Sequence, residues 1–339
     1  MMAFKWDREP RRMTHVPVML NEVLDAIGGP RAGIVVDATF GGGGYSRAFL
    51  EAGAKVIAFD RDPEAERRAL TLACAFPTQF SFQRGRFSEI ARRLRAMGAP
   101  APHAMVFDIG VSSFQIDEAE RGFSFQADGP LDMRMGREGP SAADAVNQLA
   151  EADLADLFYH YGEERNARRI AKTIVAARAL APIATTLQLA QVIESVQPRK
   201  AIGPHPATRC FQALRIFVNQ ELDELGAGLA AAEAMLAPGG ALIVVSFHSL
   251  EDRMVKQFLA DAEGRSNSVS RHVPTIGPAA APIFVGGRSA IAPSPAEIAA
   301  NPRARSAKMR VAERTQAPAR LHSAPKPEGP ALDLLRRRA

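Results

Sequence analysis

The chain predicts an α/β fold: an open, largely parallel sheet with helices on both faces, interrupted by an inserted helical domain. Three observations predict it. Short apolar runs, several ending in an acid, alternate with helical segments as far as Ile109. Four consecutive glycines, Gly41 to Gly44, join the first of these runs to a helical segment at 46–51. From about residue 115 to 204, apolar residues recur at helical spacing and no strand-like run occurs.

Strands are predicted at residues 34–36, 55–60, 80–84, 104–109 and 241–247, with helices at 62–75 and 88–97 between the early ones. Right-handed crossovers between parallel strands bring their C-terminal ends to one edge, where such sheets bind ligands. Asp37, Asp60 and Asp108 all fall on that edge. Residues 111–140 are polar and rich in Gly and Pro, and helices follow at 149–159, 165–179 and 187–195. Three prolines between Gln197 and Pro206 close the insertion. One long amphipathic helix is expected from Ala207, with Phe211, Leu214, Val218, Leu222 and Leu225 facing a core. Ser249 can cap a later helix, with Asp252 three residues on. Residues 273–302 read as surface chain, and residues 310–312 as an added edge strand. The expected organisation is a sheet domain at 1–114 and 205–314, an insertion at 115–204, and a basic, disordered tail at 315–339.

With 339 residues, 47% hydrophobic and 23% charged, the composition is that of a soluble globular protein. Its apolar runs are too short to cross a bilayer, and the charged N-terminus lacks a signal-peptide core, so the expected location is the cytoplasm. Cys74 and Cys210 are too few and too distant for a disulfide framework or a zinc site, and no metal is expected. From Arg303 onward, eight Arg and two Lys face three acids. That is a net +7, against +5 for the whole chain, a distribution suited to phosphate contact.

Glycine lets backbone approach a ligand closely, and the helix after the loop offers free N–H groups. Gly41-x-Gly43-x-x-Ser46, with Asp60 further on, lies close to a dinucleotide fingerprint, so a nicotinamide-dependent dehydrogenase is a fair local reading. Three features tilt away from it: Asp37 at the first strand end, the turn Leu236-Ala-Pro-Gly-Gly-Ala-Leu242, and the polar strand end Asp108-Ile-Gly-Val-Ser-Ser113. A carboxylate suits a cofactor with a cationic amino-acid part and ribose hydroxyls. Together they resemble a class I S-adenosylmethionine (SAM) methyltransferase, a Rossmann-like sheet.

Further blocks carry a closer resemblance. They are Thr14-His-Val-Pro-Val-Met-Leu20, Asp117-Glu-Ala-Glu-Arg-Gly-Phe-Ser-Phe125, Asp128-Gly-Pro-Leu-Asp-Met-Arg134, Tyr161-Gly-Glu-Glu164, His205-Pro-Ala-Thr-Arg209, Ser246-Phe-His-Ser-Leu-Glu-Asp-Arg253 and Asn301-Pro-Arg-Ala-Arg-Ser-Ala-Lys308. In this order they resemble the bacterial 16S rRNA (cytosine-N4) methyltransferases, the RsmH or MraW family. The resemblance implies SAM as cofactor and 16S rRNA, within the small ribosomal subunit, as partner. The target it implies is the N4 amine of one decoding-region cytidine, number 1402 in standard rRNA numbering. It places SAM contacts on Gly43, Gly44, Tyr45, Asp60, Phe87, Asp108 and Gln115. Tyr45 stands where the family commonly has histidine, Phe114 where it has proline, and Cys210 where it has threonine. A non-catalytic RNA-binding assembly factor is the reading from a different class, and a homodimer is left open.

An exocyclic amine is a poor nucleophile, because its lone pair is delocalised into the ring. An acceptor for its N–H bonds localises that pair. Asp108, or a carbonyl near Val111, is one candidate, and His248 is the other. The competing account of His248 is a buried structural histidine; of Phe87, a core aromatic; of Asp132 with Arg134, an internal ion pair. Arg165, Arg168, Arg169 and Lys172 share one side of an insertion helix, and with Arg209 and Arg215 they form the expected RNA contacts.

Overall fold

The computed structural model describes residues 17–28, 33–199, 203–264, 281–320 and 324–336. Residues 14–16, 273–280 and 337–339, on which some expectations fall, lie outside them. The sheet strands are β1 (Ile34–Asp37), β2 (Lys55–Asp60), β3 (Phe80–Arg84), β4 (Ala104–Asp108), β5 (Ala241–Ser246), β6 (Phe284–Gly286) and β7 (Lys308–Arg314). Their order is β3-β2-β1-β4-β5-β7-β6. The first five are parallel, and β7 runs antiparallel between β5 and β6. Residues 310–312 are therefore part of an interior strand, not the edge. Two buried arginines on β7 are satisfied there: Arg310 donates to Asp252 (2.7 Å) and Arg314 to the Glu233 carbonyl (3.0 Å).

Helices α1 (Leu20–Ile27), α2 (Gly44–Glu51) and α3 (Pro63–Ala75) cover one face of the sheet, where Val23, Phe49 and Leu72 are buried. On the other face lies α4 (Ile90–Ala96). Past β4 come α5 (Ser113–Asp117), α6 (Ala142–Gln148), α7 (Glu151–Gly162), α8 (Ala167–Leu180), α9 (Thr186–Val196), α10 (Thr208–Asn219) and α11 (Glu221–Met235). The single helix expected from Ala207 is in fact two, α10 and α11, broken at Gln220 in a left-handed conformation (φ 52°). The break redirects the apolar stripe. Phe211, Leu214, Val218 and Leu222 pack into a third core with α6 to α9, while Leu225 joins the sheet core. The helical unit thus extends through α10.

Two further expectations change. The helix after β5, α12 (Ser249–Ala262), is capped by His248 with Glu251 at the third position, not by Ser249 with Asp252. The tail is also not free. Arg320 pairs with Glu233 at 2.6 Å, Tyr161 donates to the Pro330 carbonyl at 3.0 Å, and Leu332 and Leu335 are buried in the helical core. A short helix, α13 (Pro295–Ala300), lies within the region read as surface chain.

Replacing Leu332 and Leu335 together by Ala should lower the unfolding free energy by about 2 kcal/mol or more, since both are buried. Urea denaturation measures it, and no change would mean that the tail does not pack.

Candidate active site

A cavity of about 510 Å³ opens at the C-terminal edge of β1, β2 and β4. Its floor is the glycine loop. Gly43 is left-handed (φ 79°), and a Cβ there would meet the Phe40 ring at 2.7 Å; at Gly44 a Cβ would meet Pro17 at 2.3 Å. Gly43 caps α2 without a side chain, which leaves the Gly44 and Tyr45 N–H groups uncapped, while the Ser46 N–H bonds to the Asp37 carboxylate.

Two strand-end acids hold this loop. Asp60 accepts the N–H bonds of Gly41 (2.7 Å) and Asp62 (2.8 Å), and it lines the cavity. Asp37 is fully buried, accepts from Ser46 Oγ (2.6 Å) and Thr39 N–H (3.1 Å), and does not line the cavity. The acid expected to meet the cofactor at the first strand is therefore scaffold. Burial pushes the Asp37 carboxyl up to about 6, against the pull of its Ser46 and Thr39 hydrogen bonds. Burial also raises Asp60, opposed by its two backbone hydrogen bonds.

Asp108, at the end of β4, lines the cavity differently. Its Oδ1 is shielded from solvent and has no hydrogen-bond partner among the described residues. Burial first, then Asp37 and Glu251, hold its carboxyl well above the ordinary carboxylate range. Its backbone N–H donates to Thr39 Oγ1 at 2.8 Å, tying β4 to the glycine loop.

The other expected cofactor residues also line the cavity: Gly44, Tyr45, Phe87 and Gln115 do so directly, and Gly43 shapes the loop beneath. Tyr45 spends its hydroxyl on the Val18 carbonyl, so its ring, not its donor, is left for a ligand. Phe87 packs edge-on against Phe107, with centroids 5.3 Å apart. Gln115 donates to Asp62 at 2.8 Å and accepts the Ser112 N–H at 3.1 Å. Asp62 is also bound by buried Arg121 at 2.8 Å, and Arg121 reaches the Met135 carbonyl at 2.9 Å. The sequence reading missed this Asp62–Gln115–Arg121 support. Its signal was Asp62 at a helix start and Arg121 within a long polar block.

Among the RNA candidates, Arg165, Arg168, Arg169 and Lys172 are exposed on α8 and its approach, with no ion pair among the described residues. Arg209 is exposed and donates to the Glu163 carbonyl at 3.0 Å. Arg215 does not belong with them. It sits in the cavity wall and pairs with Glu221 at 2.8 and 2.9 Å, because the break at Gln220 turns that acid back onto it. His248 lies behind the wall, outside the lining. It caps α12, with Nε2 2.9 Å from Glu251, and Glu251 also accepts the Phe247 N–H at 2.8 Å. Although burial opposes it, His248 and Arg215 hold Glu251 below its ordinary range. Asp132 and Arg134 form an internal ion pair at 2.6 Å.

The donor set fits SAM. The uncapped N–H groups at the start of α2 suit a carboxylate, Asp60 suits ribose hydroxyls, and apolar walls with Phe87 suit adenine. The strand order, with its reversed β7, and this site define a class I SAM-dependent methyltransferase. The chain belongs to the MraW methylase family, whose model matches residues 12–315. It is 55% identical over 309 residues to the ribosomal RNA small subunit methyltransferase H of Methylobacterium nodulans, covering 90% of this chain and 91% of that one. The protein of the same description from Caulobacter vibrioides is 54% identical, with 90% and 96% covered. An rRNA methylase structure from Streptococcus thermophilus aligns with 90% of this chain and 99% of its own, at 12% identity and a TM-score of 0.38. Family membership sets aside the dehydrogenase.

Asp37 yields a prediction with a definite sign. Its carboxyl titrates near 3.8 when unfolded and about 6 when folded, so between those values the native state binds the extra proton. Its contribution to stability is therefore lost as pH rises from about 4 to about 6. Urea denaturation across that range should show the difference between the wild type and Asp37→Asn shifting by about 2–3 kcal/mol. A pH-independent difference would contradict the burial of this charge.

Proposed function

We propose that this chain methylates the N4 amine of a cytidine in the decoding region of small-subunit rRNA, position 1402 in standard numbering. The observation that carries the chemistry is the unpartnered Oδ1 of Asp108 on the cavity wall. The naming of relatives more than 50% identical supports the RNA. This substrate puts the enzyme with ribosomes in the cytoplasm, and among the described residues no helix is long and apolar enough to cross a membrane.

SAM bound in the cavity would supply a methyl group on an electrophilic sulfonium, leaving as the neutral thioether when the S–CH3 bond breaks. Asp108 accepts an N–H bond of the incoming amine, which localises the nitrogen lone pair toward that methyl, and it receives the proton released when the new N–C bond forms. The glycine loop and Phe87 hold the donor in place, so most of the rate comes from orientation. His248 acts as a positioning residue through Glu251, which fixes the Phe247 backbone at the wall. A paired, stacked cytosine hides its amine, so the target is read in single-stranded or opened RNA. Arg165, Arg168, Arg169, Lys172 and Arg209 make the helical unit the RNA-recognition platform.

Asp108→Asn should bind SAM within a few-fold of wild type yet lose about 10²–10⁴ in single-turnover rate. In the wild type that rate should rise with pH along a limb above the ordinary carboxylate range, and the variant should lack the limb. Unchanged turnover in Asp108→Asn would remove Asp108 from the chemistry. Replacing Arg165, Arg168, Arg169 and Lys172 by Ala should weaken rRNA binding and flatten its salt dependence, leaving SAM affinity intact. Unchanged binding would move the platform elsewhere.

A further inference from the structure

The block Asn301 to Lys308 has no part in the site as described so far. It folds into a 3-10 turn, Pro302–Ser306, capped by Asn301, whose side chain accepts the Arg303 N–H at 3.3 Å. Ala304 and Ala307 are buried in the core beneath α1 to α3. Those two anchors leave Arg303, Arg305 and Ser306 exposed. The segment before it is also fixed to the cavity rim, because Glu297 on α13 accepts the Met19 N–H at 2.5 Å and the neighbouring Pro17 and Val18 line the cavity.

Arg303 combines two properties. It lines the cavity, and its side chain is 47% exposed. Its partner is Asp117 at 2.6 Å, on α5 just beyond the Asp108 strand end, and that side chain is 61% exposed. An ion pair this open is worth little in water and exchanges readily. A phosphate offers the same guanidinium a charge-assisted, two-pronged contact. When a base enters the cavity, the phosphates on either side of it must cross the rim where Arg303 stands. Arg305 follows with no partner among the described residues.

We infer that Arg303, with Arg305 beside it, clamps a phosphate flanking the target nucleotide, and that Asp117 holds the guanidinium ready until RNA displaces it. This rests on the RNA substrate proposed above. It makes Arg303 a positioning residue that seats the base, distinct from the platform on α8.

The test uses the full chain saturated with SAM and a small-subunit rRNA fragment carrying the target cytidine. RNA affinity is measured against KCl concentration, with SAM affinity by calorimetry and single-turnover methylation alongside. Arg303→Ala should leave SAM affinity unchanged and weaken RNA binding about tenfold. It should also make the slope of log affinity against log salt shallower by about 0.7. Arg303→Lys should restore the slope but only part of the affinity, and Arg305→Ala should act in the same direction as Arg303→Ala. Asp117→Asn should act in the opposite direction and tighten RNA binding, because the competing carboxylate is gone. Equal weakening in Arg303→Ala and Asp117→Asn would show a merely structural pair and overturn the inference, as would an unchanged salt slope in Arg303→Ala. A wild type that binds SAM but neither binds nor methylates the rRNA would overturn the substrate reading itself.

Discussion

The glycine loop between β1 and α2 is held by carboxylates at adjacent strand ends, and the site depends on that restraint. Asp60 takes the Gly41 and Asp62 N–H bonds, while Asp37 takes Thr39 and Ser46. Burial disfavours the charge on both carboxyls, and Asp60 adds its repulsion to Asp37. They persist because each is surrounded by donors that the loop must present in one conformation. That conformation needs left-handed backbone at Gly43 and leaves no room for a Cβ at Gly44. The loop is therefore pre-formed, and a cofactor entering it has little backbone ordering to impose.

From this restraint follows a division of labour. Asp37 supports, Asp60 both supports and lines, and of these three acids Asp108 keeps a buried oxygen with no partner among the described residues. The break at Gln220 then joins the two halves of the molecule. It lets α10 belong to the helical unit while Arg215 and Glu221, on either side of it, stand in the cavity wall. The cofactor site and the helical unit thus share a boundary, and the C-terminal segment spans it from Glu233 on α11 to Tyr161 on α7.

The five parallel strands were legible because each is a short apolar run ending near a polar residue, and the glycine loop because four glycines in a row have few structural uses. What could not be read has physical causes. An acid at a strand end looks the same whether it faces a ligand or lies beneath the loop, so Asp37 and Asp60 could not be separated. Gln220 in a left-handed turn leaves no compositional mark, and the break it makes decided the fate of Arg215. A three-residue strand such as β6 lies below any periodicity, so the sequence shows no strand outside β7. His248 and Ser249 are one residue apart and both able to cap; the side chain that turned inward settled it. The tail is rich in charge, yet Leu332 and Leu335 are buried in the helical core and help to anchor it.

The central claim is that this cavity brings a SAM methyl to a base amine of small-subunit rRNA. The most direct measurement is mass analysis of nucleosides from unmodified small-subunit rRNA treated with the purified chain and methyl-labelled SAM. The account predicts a single labelled methyl, on the N4 amine of one decoding-region cytidine. Label on a ring carbon or a ribose, or no transfer by a chain that binds SAM, would contradict it.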